Sequence, residues 1–296
     1  MAAALQLAHN ADVIVFVGGL DVTNVEREGH DRHDIHLPGL QPKLLASLLA
    51  LGKPLALVLF HGGVVTLPPS ILAHSNLAVV SAGYPGIHGG KAIAEALFDA
   101  AGVGDGKASN RWGRTAVTWY SEAGWQQAGY DMLSFDMAAA PGRTYRYYNG
   151  LPQWPFGFGL SYSTLKLHAV HSNATDASRT GRVAVGVENV DPSRSSDAVV
   201  LLYIQPHAGT VPTLAPAAAL RRQLVAFERL AAIPAADQAN FAFELTPEHV
   251  SLHDAHGATV LYPGLYELIV SLGDGEQSNE VTLHFSCDGK SGCQSA

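Results

Sequence analysis

Three short aliphatic runs, each closed by glycine, set the strongest limit on what this chain folds into. Val13–Val17, Leu55–Phe60 and Leu77–Val80 are unbroken apolar stretches, followed by Gly18-Gly19, by Gly62-Gly63 and by Gly83-Tyr84-Pro85-Gly86. Such runs suit strands buried on both faces, whereas a half-exposed strand alternates. Helical patterns separate them. Met1–His9 is rich in Ala and Leu, both strong helix formers. Apolar residues at 40, 44, 45, 48, 49 and 51 form a helical stripe that Gly52 stops. Lys91–Ala101 predicts a further helix. Strand and helix alternating in this order predict a mostly parallel sheet with helices on both faces. The C-terminal strand ends of such a sheet share one edge, and ligand sites form in the loops there. Gly18–Arg32, His61–Val64 and Ala82–Gly90 are therefore candidate walls of one site, with ordinary turns as the plainer alternative.

The rhythm changes further along. Residues 104–160 are rich in Trp, Tyr, Gly and Pro, including Trp112, Trp119, Trp125, Trp154, Tyr145, Tyr147 and Tyr148. Aromatic rings among glycines suit either the faces of sugars or a packed interior, and packing is expected for most of these. From Ser161 onward the pattern is all-β. Strands are expected at Leu165–His171, Arg182–Val190, Ala198–Ile204, Gln223–Leu230, Asn240–Leu245, Gly264–Leu272 and Glu280–Phe285. Seven short strands divided by turn residues predict a Greek-key sandwich of the immunoglobulin or fibronectin type. Tyr262-Pro263-Gly264 reads as a turn into an edge strand. The fold class is thus α/β plus all-β. Residues 1–160 form a mostly parallel α/β sandwich, 161–286 a fibronectin type III-like β-sandwich, and 287–296 a flexible tail.

Composition excludes several functions. With 47% hydrophobic and 15% charged residues the chain is globular rather than disordered. A net charge of -8 argues against nucleic acid, whose phosphates need a basic face. Gly52-Lys53-Pro54 breaks the longest apolar stretch, Leu44–Phe60, so no membrane partner is expected. The first ten residues show no basic leader, and no export signal is visible. The two cysteines, Cys287 and Cys293, either close a small loop in an oxidising compartment or remain loose thiols. No cofactor is expected, because P-loop, dinucleotide and GxSxG patterns are absent from the sequence.

The densest polar segment is Asp21–Asp34, DVTNVEREGHDRHD. It holds Asp21, Glu26, Glu28, Asp31 and Asp34 beside Arg27, Arg32, His30 and His33. Carboxylates near arginines and an apolar sheet edge can be tuned for acid–base work. The plainer alternative is a solvated loop held by its own Asp–Arg pairs. No metal is expected, because the spacing of His30, His33 and His36 matches no zinc signature and neither HExxH nor paired CxxC occurs.

These same residues carry a resemblance. VGGLD at 17–21, EREGHDR at 26–32 and LPG at 37–39 resemble the second-domain motif of glycoside hydrolase family three. HGGVV at 61–65, AGYPG at 82–86, VTWY at 117–120, PGRTYRYYNG at 141–150 and WPFGFGLSY at 154–162 continue it in the family's order. QLVAFERL at 223–230 and YPGLYELIVSLG at 262–273 are similar to its fibronectin type III-like domain. The blend is most similar to plant and fungal β-xylosidases, with arabinofuranosidase or β-glucosidase activity less favoured.

The resemblance implies a retaining, exo-acting hydrolase with the general acid/base at Glu28 and Glu26 as the fallback carboxylate. Asp31, Arg32, His61 and Tyr84 would belong to the substrate-site loops, and Arg32 would pair with Asp31 or Glu26. The loop between Asp21 and Glu26 is one residue longer than the family pattern, and Asp136–Ala140 shortens another loop. Retention needs a nucleophilic carboxylate about 5 Å from the acid. In the family that residue is an Asp on an N-terminal (β/α)8 barrel of about 250 residues. These 296 residues leave no room for it. The expected partners are therefore the missing barrel and a xylo-oligosaccharide or other β-glycoside, and the chain alone should be inactive or nearly so. The family implies an extracellular or cell-wall location. The competing readings are a non-catalytic carbohydrate- or protein-binding module, and a subunit that completes another chain's barrel.

Overall fold

The structure, a computed structural model, describes residues 1–21, 23, 25–98, 112–129, 131, 133–174, 179–207, 209–211, 220–254, 256–275 and 280–287. The chain divides into two compact units: residues 1–97, 118–130 and 151–154, and residues 98–117, 131–150 and 155–296.

In the first unit α1 (Ala2–Asn10), α2 (Gln41–Leu49), α3 (Pro69–Leu72), α4 (Gly89–Phe98) and α5 (Glu122–Ala128) accompany β1 (Ile14–Gly19), β2 (Leu55–Phe60) and β3 (Leu77–Gly83). The three strands form a parallel sheet in the order β1-β2-β3, with Ile14 opposite Leu55 and Leu55 opposite Leu77. All three aliphatic runs are strands, but only the middle one is buried along most of its length. Leu55, Leu57, Val58 and Leu59 are nearly inaccessible, whereas Val15 and Val17 are 42% and 54% exposed. The reason is position: among the described residues β1 lies at an edge of the sheet, and composition alone does not distinguish an edge strand from a central one. Leu45, Leu48 and Leu49 of α2 meet Leu55, Leu57 and Leu59 of β2 in the core, each fully buried leucine contributing about 2 kcal/mol. The expected stripe holds except at Leu40, which precedes the helix and is 71% exposed.

A short antiparallel pair, β4 (Trp119–Tyr120) and β5 (Pro152–Trp154), sets Trp119 opposite Trp154. Their rings pack edge to face at 5.2 Å, and Trp119 is buried, so here packing is the role of the aromatic-rich stretch.

The second unit is antiparallel. After α6 (Thr144–Tyr147) come β6 (Leu165–Ser172), β7 (Gly181–Asn189), β8 (Ser196–Pro206), β9 (Gln223–Ile233), β10 (Asp237–Leu245), α7 (Pro247–Val250), β11 (Leu252–His253), β12 (Thr259–Val260), β13 (Gly264–Ser271) and β14 (Glu280–Cys287). They form sheets ordered β10-β7-β6 and β14-β13-β8-β9, plus the two-stranded β11-β12. Alternate residues Val183, Val185 and Val187 of β7 share one core with Val200 and Leu202 of β8 and Leu268 and Val270 of β13. The seven expected strands are present. The β11-β12 pair was not expected, since two residues are too few to show a period. One expectation is corrected: β13 is not an edge strand but lies between β14 and β8. Pro263 precedes the strand and takes no place in its ladder, so the proline carries no edge signal here.

Cys287 ends β14, buried and disulfide-bonded. The tail at 288–296, with Cys293, lies outside the described residues. Among the described residues no helix is long and apolar enough to cross a membrane.

Candidate functional site

The polar loop leaves the sheet at a point that only glycine can occupy. Gly19 has φ +124°, and a Cβ there would lie 2.0 Å from the Phe60 carbonyl oxygen at the end of β2. Gln41, the first residue of α2, grips the same peptide: Gly19 N–H donates to its Oε1 at 2.7 Å and its Nε2 donates to Gly19 O at 2.8 Å. Asp21 then shapes the bend. Its carboxylate accepts from Thr23 N–H at 2.8 Å, and its carbonyl from Val25 and Glu26 N–H at 3.0 and 3.1 Å. Reciprocal bonds between Arg27 and His30, at 3.1 and 2.9 Å, close a tight turn with Glu28 and Gly29 at its tip. Gly29 sits at φ +74°, which the turn requires.

Three loops of the common sheet edge meet at Glu26. Arg32 Nε donates to Glu26 Oε2 at 2.8 Å, and Arg32 Nη2 to the Val64 carbonyl at 3.1 Å. Tyr84 O–H donates to the other carboxylate oxygen at 3.1 Å. The turn between them needs bare backbone: a Cβ at Gly62 would fall 2.8 Å from the Tyr84 ring, and one at Gly63 2.7 Å from Arg32 Nη2. Burial, and then the bond to Glu26, hold the Tyr84 phenol above its usual titration range. Arg32 and Glu26 are 14% and 22% exposed, so the pair is largely but not wholly withdrawn from water.

His61 supports this junction from below. Its Nδ1 lies 3.1 Å from the Gly63 carbonyl and its Nε2 2.7 Å from Ser81 Oγ. A carbonyl can only accept, so Nδ1 carries the proton and Nε2 accepts from the serine. The ring stands edge to face with Trp119 at 4.9 Å. Burial pushes its pKa below the ordinary histidine value and keeps it neutral.

The site residues read from the sequence fall into two groups. Glu26, Arg32, His61 and Tyr84 come together. Glu28 and Asp31 do not: both are exposed and neither makes a hydrogen bond or ion pair among the described residues. Behind the loop is a cavity of about 680 Å³, lined by His30, Asp31, His36, Pro38, Leu67 and Glu122 among others. There His36 Nε2 meets Glu122 at 3.1 Å. Among the described residues no cluster of three or more His, Cys, Asp and Glu side chains is arranged to hold a metal. Gln41 and Ser81 escaped the sequence reading. The only signals were a polar residue directly after Leu37-Pro38-Gly39-Leu40 and one directly after the run Leu77–Val80.

Comparison with known proteins agrees with this architecture. Residues 1–162 match the glycosyl hydrolase family 3 C-terminal domain, and residues 198–273 match a fibronectin type III-like domain. The chain is 33% identical over 290 residues to the exo-1,4-β-xylosidase xlnD of Emericella nidulans, covering 90% of this chain and 34% of that protein. It is 34% identical over 300 residues to the probable β-D-xylosidase 7 of Arabidopsis thaliana, covering 92% of this chain and 37% of that one. The chain thus spans about a third of the length of these relatives. Among solved structures, the exo-β-xylosidase XlnD with a xylobiose aziridine probe superposes with a TM-score of 0.75 at 28% identity, over 97% of this chain and 38% of that one. The β-glucosidase EmGH1 of Erythrobacter marinus does so with a TM-score of 0.73 at 31% identity, over 97% and 36%. The chain belongs to glycoside hydrolase family 3, and carries that family's C-terminal domain followed by a fibronectin type III-like domain.

Proposed function

We propose that this chain is the acid/base-bearing part of a retaining, exo-acting hydrolase that removes β-xylosyl, or related β-glycosyl or arabinosyl, ends from plant cell-wall polysaccharides. In this reading residues 1–160 form the catalytic half-site domain, residues 161–286 the structural sandwich, and the working place is extracellular or the cell wall. One observation carries it: the loop is clamped at Glu26, while Glu28, two residues on, stands exposed and unengaged at the tip of a tight turn. A general acid must reach the leaving oxygen and give up its proton there. The exposed, unengaged Glu28 supports that role, whereas both Glu26 oxygens already accept hydrogen bonds.

The nucleophilic carboxylate then lies on a region outside these 296 residues. It attacks the anomeric carbon as Glu28 protonates the departing oxygen, and Glu28 next takes a proton from water to release the sugar. By itself the chain lacks half of the pair and most of the pocket, and should turn over aryl β-xylosides no faster than buffer. Joined to a nucleophile-bearing region, it should gain activity. Glu28→Ala should then lose about 10²–10⁴-fold with poor leaving groups, lose far less with activated ones, and recover with azide to give a β-xylosyl azide. Equal rates for wild type and Glu28→Gln would remove Glu28 from the role. Azide rescue at Glu26→Ala instead would transfer the role to Glu26, and brisk turnover by the unaided chain would refute the need for a second region.

A further inference from the structure

The only Asn-X-Ser/Thr triplet in the sequence, with X other than proline, is Asn173-Ala174-Thr175. It follows directly on β6, at the end of the three-stranded sheet's edge strand. Asn173 is exposed. Its backbone N–H donates to the Arg182 carbonyl at 3.2 Å, and Arg182 N–H donates to its side-chain Oδ1 at 2.6 Å. A backbone N–H can only donate, so the atom facing it must be the amide oxygen, and Nδ2 is turned to the other side. Nδ2 makes no hydrogen bond among the described residues. Ala174 fixes the backbone: it is buried at 6%, its N–H donates to Ser172 Oγ at 2.9 Å, and a Cβ at Gly181 would lie 2.4 Å from its own Cβ. Thr175 lies outside the described residues and enters by sequence alone. The disulfide at Cys287 independently points to an oxidising route of maturation.

We propose that Asn173 is an acceptor for an N-linked glycan. In the transfer, Nδ2 attacks the anomeric carbon of a lipid-linked oligosaccharide diphosphate. The N–C bond forms, the C–O bond to the diphosphate breaks, the lipid diphosphate leaves, and the amide loses one proton to a base of the transferase. The folded chain accommodates the product because Asn173 is exposed while its side-chain oxygen and backbone N–H hold the turn. The inference shares with the functional reading only the extracellular or cell-wall destination, and additionally requires a eukaryotic secretory route.

The test expresses the full chain behind a secretion signal in a eukaryotic cell. Peptides from both the exported and the cell-retained pools are mapped before and after peptide-N-glycosidase in heavy-oxygen water. The expected result is conversion of Asn173 to a heavy-oxygen-labelled Asp and loss of one glycan's mass on digestion. That mass should be absent in N173Q and T175A and present in T175S. T175A leaves Asn173 and Arg182 themselves unaltered, and T175S restores the hydroxyl, so the pair separates loss of the acceptor signal from misfolding. The retained pool reads glycosylation even if export itself fails. An unmodified Asn173 in chains whose Cys287 is oxidised overturns the proposal, as does a glycan that survives N173Q.

Discussion

Glu26 and Arg32 offer a quantitative test of whether the loop is held by a specific pair or only by its own turns. At 2.8 Å, with side chains 14% and 22% exposed, the pair lies between the surface and buried limits. Exposed pairs contribute up to about 1 kcal/mol, and breaking a fully buried one costs about 3–5 kcal/mol. A coupling energy of about 1.5–2 kcal/mol is therefore expected from a cycle of Glu26→Gln, Arg32→Met and the double variant. Arg32→Met also removes the bond to Val64 O and should cost roughly 1 kcal/mol more, about 3 kcal/mol in total. The amides of Glu26, Arg27 and His30 each close a bond within the loop and report its opening. Hydrogen exchange at these amides should accelerate about 100-fold in Arg32→Met. Glu28→Gln, which removes no contact, serves as the control and should leave all of them unaltered. A coupling below about 0.5 kcal/mol, or loop amides that exchange at the wild-type rate in Arg32→Met, would refute the assignment of Glu26 as the loop's anchor.

Two further outcomes follow from other buried polar groups. His61 has a folded pKa below its ordinary 6.5, so between those values the unfolded chain binds more protons than the folded one. Its contribution is thus complete above about pH 6.5 and is lost as pH falls through the folded pKa; urea unfolding followed from pH 7.5 to 5 should show this slope, and His61→Gln should flatten it. Asn189 is fully buried, with Nδ2 donating to the carbonyls of Arg194, Ile233 and Pro234 at 2.8, 3.2 and 3.0 Å. Asn189→Ala should cost about 2–3 kcal/mol and Asn189→Asp at neutral pH more, because a carboxylate would face three carbonyl oxygens; equal thermal midpoints for the two variants would contradict this account.

The parts of the fold legible in the sequence are those decided locally. The run Leu55–Phe60 reads as a buried strand and is one. Val13–Val17 has the same composition, but the order β1-β2-β3 places its strand at an edge, and no window of sequence contains the sheet order. Pro263 misled for the same reason, since proline marks edges only when it stands inside the ladder. At the loop, the sequence set five carboxylates, Asp21, Glu26, Glu28, Asp31 and Asp34, in one segment with Arg32 and left Asp31 or Glu26 as its partner. The choice is made by groups from other loops. Val64 O fixes one arm of the guanidinium and Tyr84 O–H fixes the far oxygen of Glu26. Sequence spacing contains neither.

Two acidic residues in one short turn thus divide into different physical states. A carboxylate that accepts from a guanidinium and a phenol at once is bound as an acceptor, and lending a proton from it would require breaking the clasp that shapes the loop. Its neighbour two positions on bears no such constraint, because the turn at Gly29 carries Glu28 clear of Arg32 and Tyr84. Gly62 and Gly63 make this division possible, since any side chain there would enter the space of the Tyr84 ring or the Arg32 guanidinium. The glycine-closed strand ends that first defined the sheet therefore also decide which carboxylate anchors the loop and which stays exposed and unengaged.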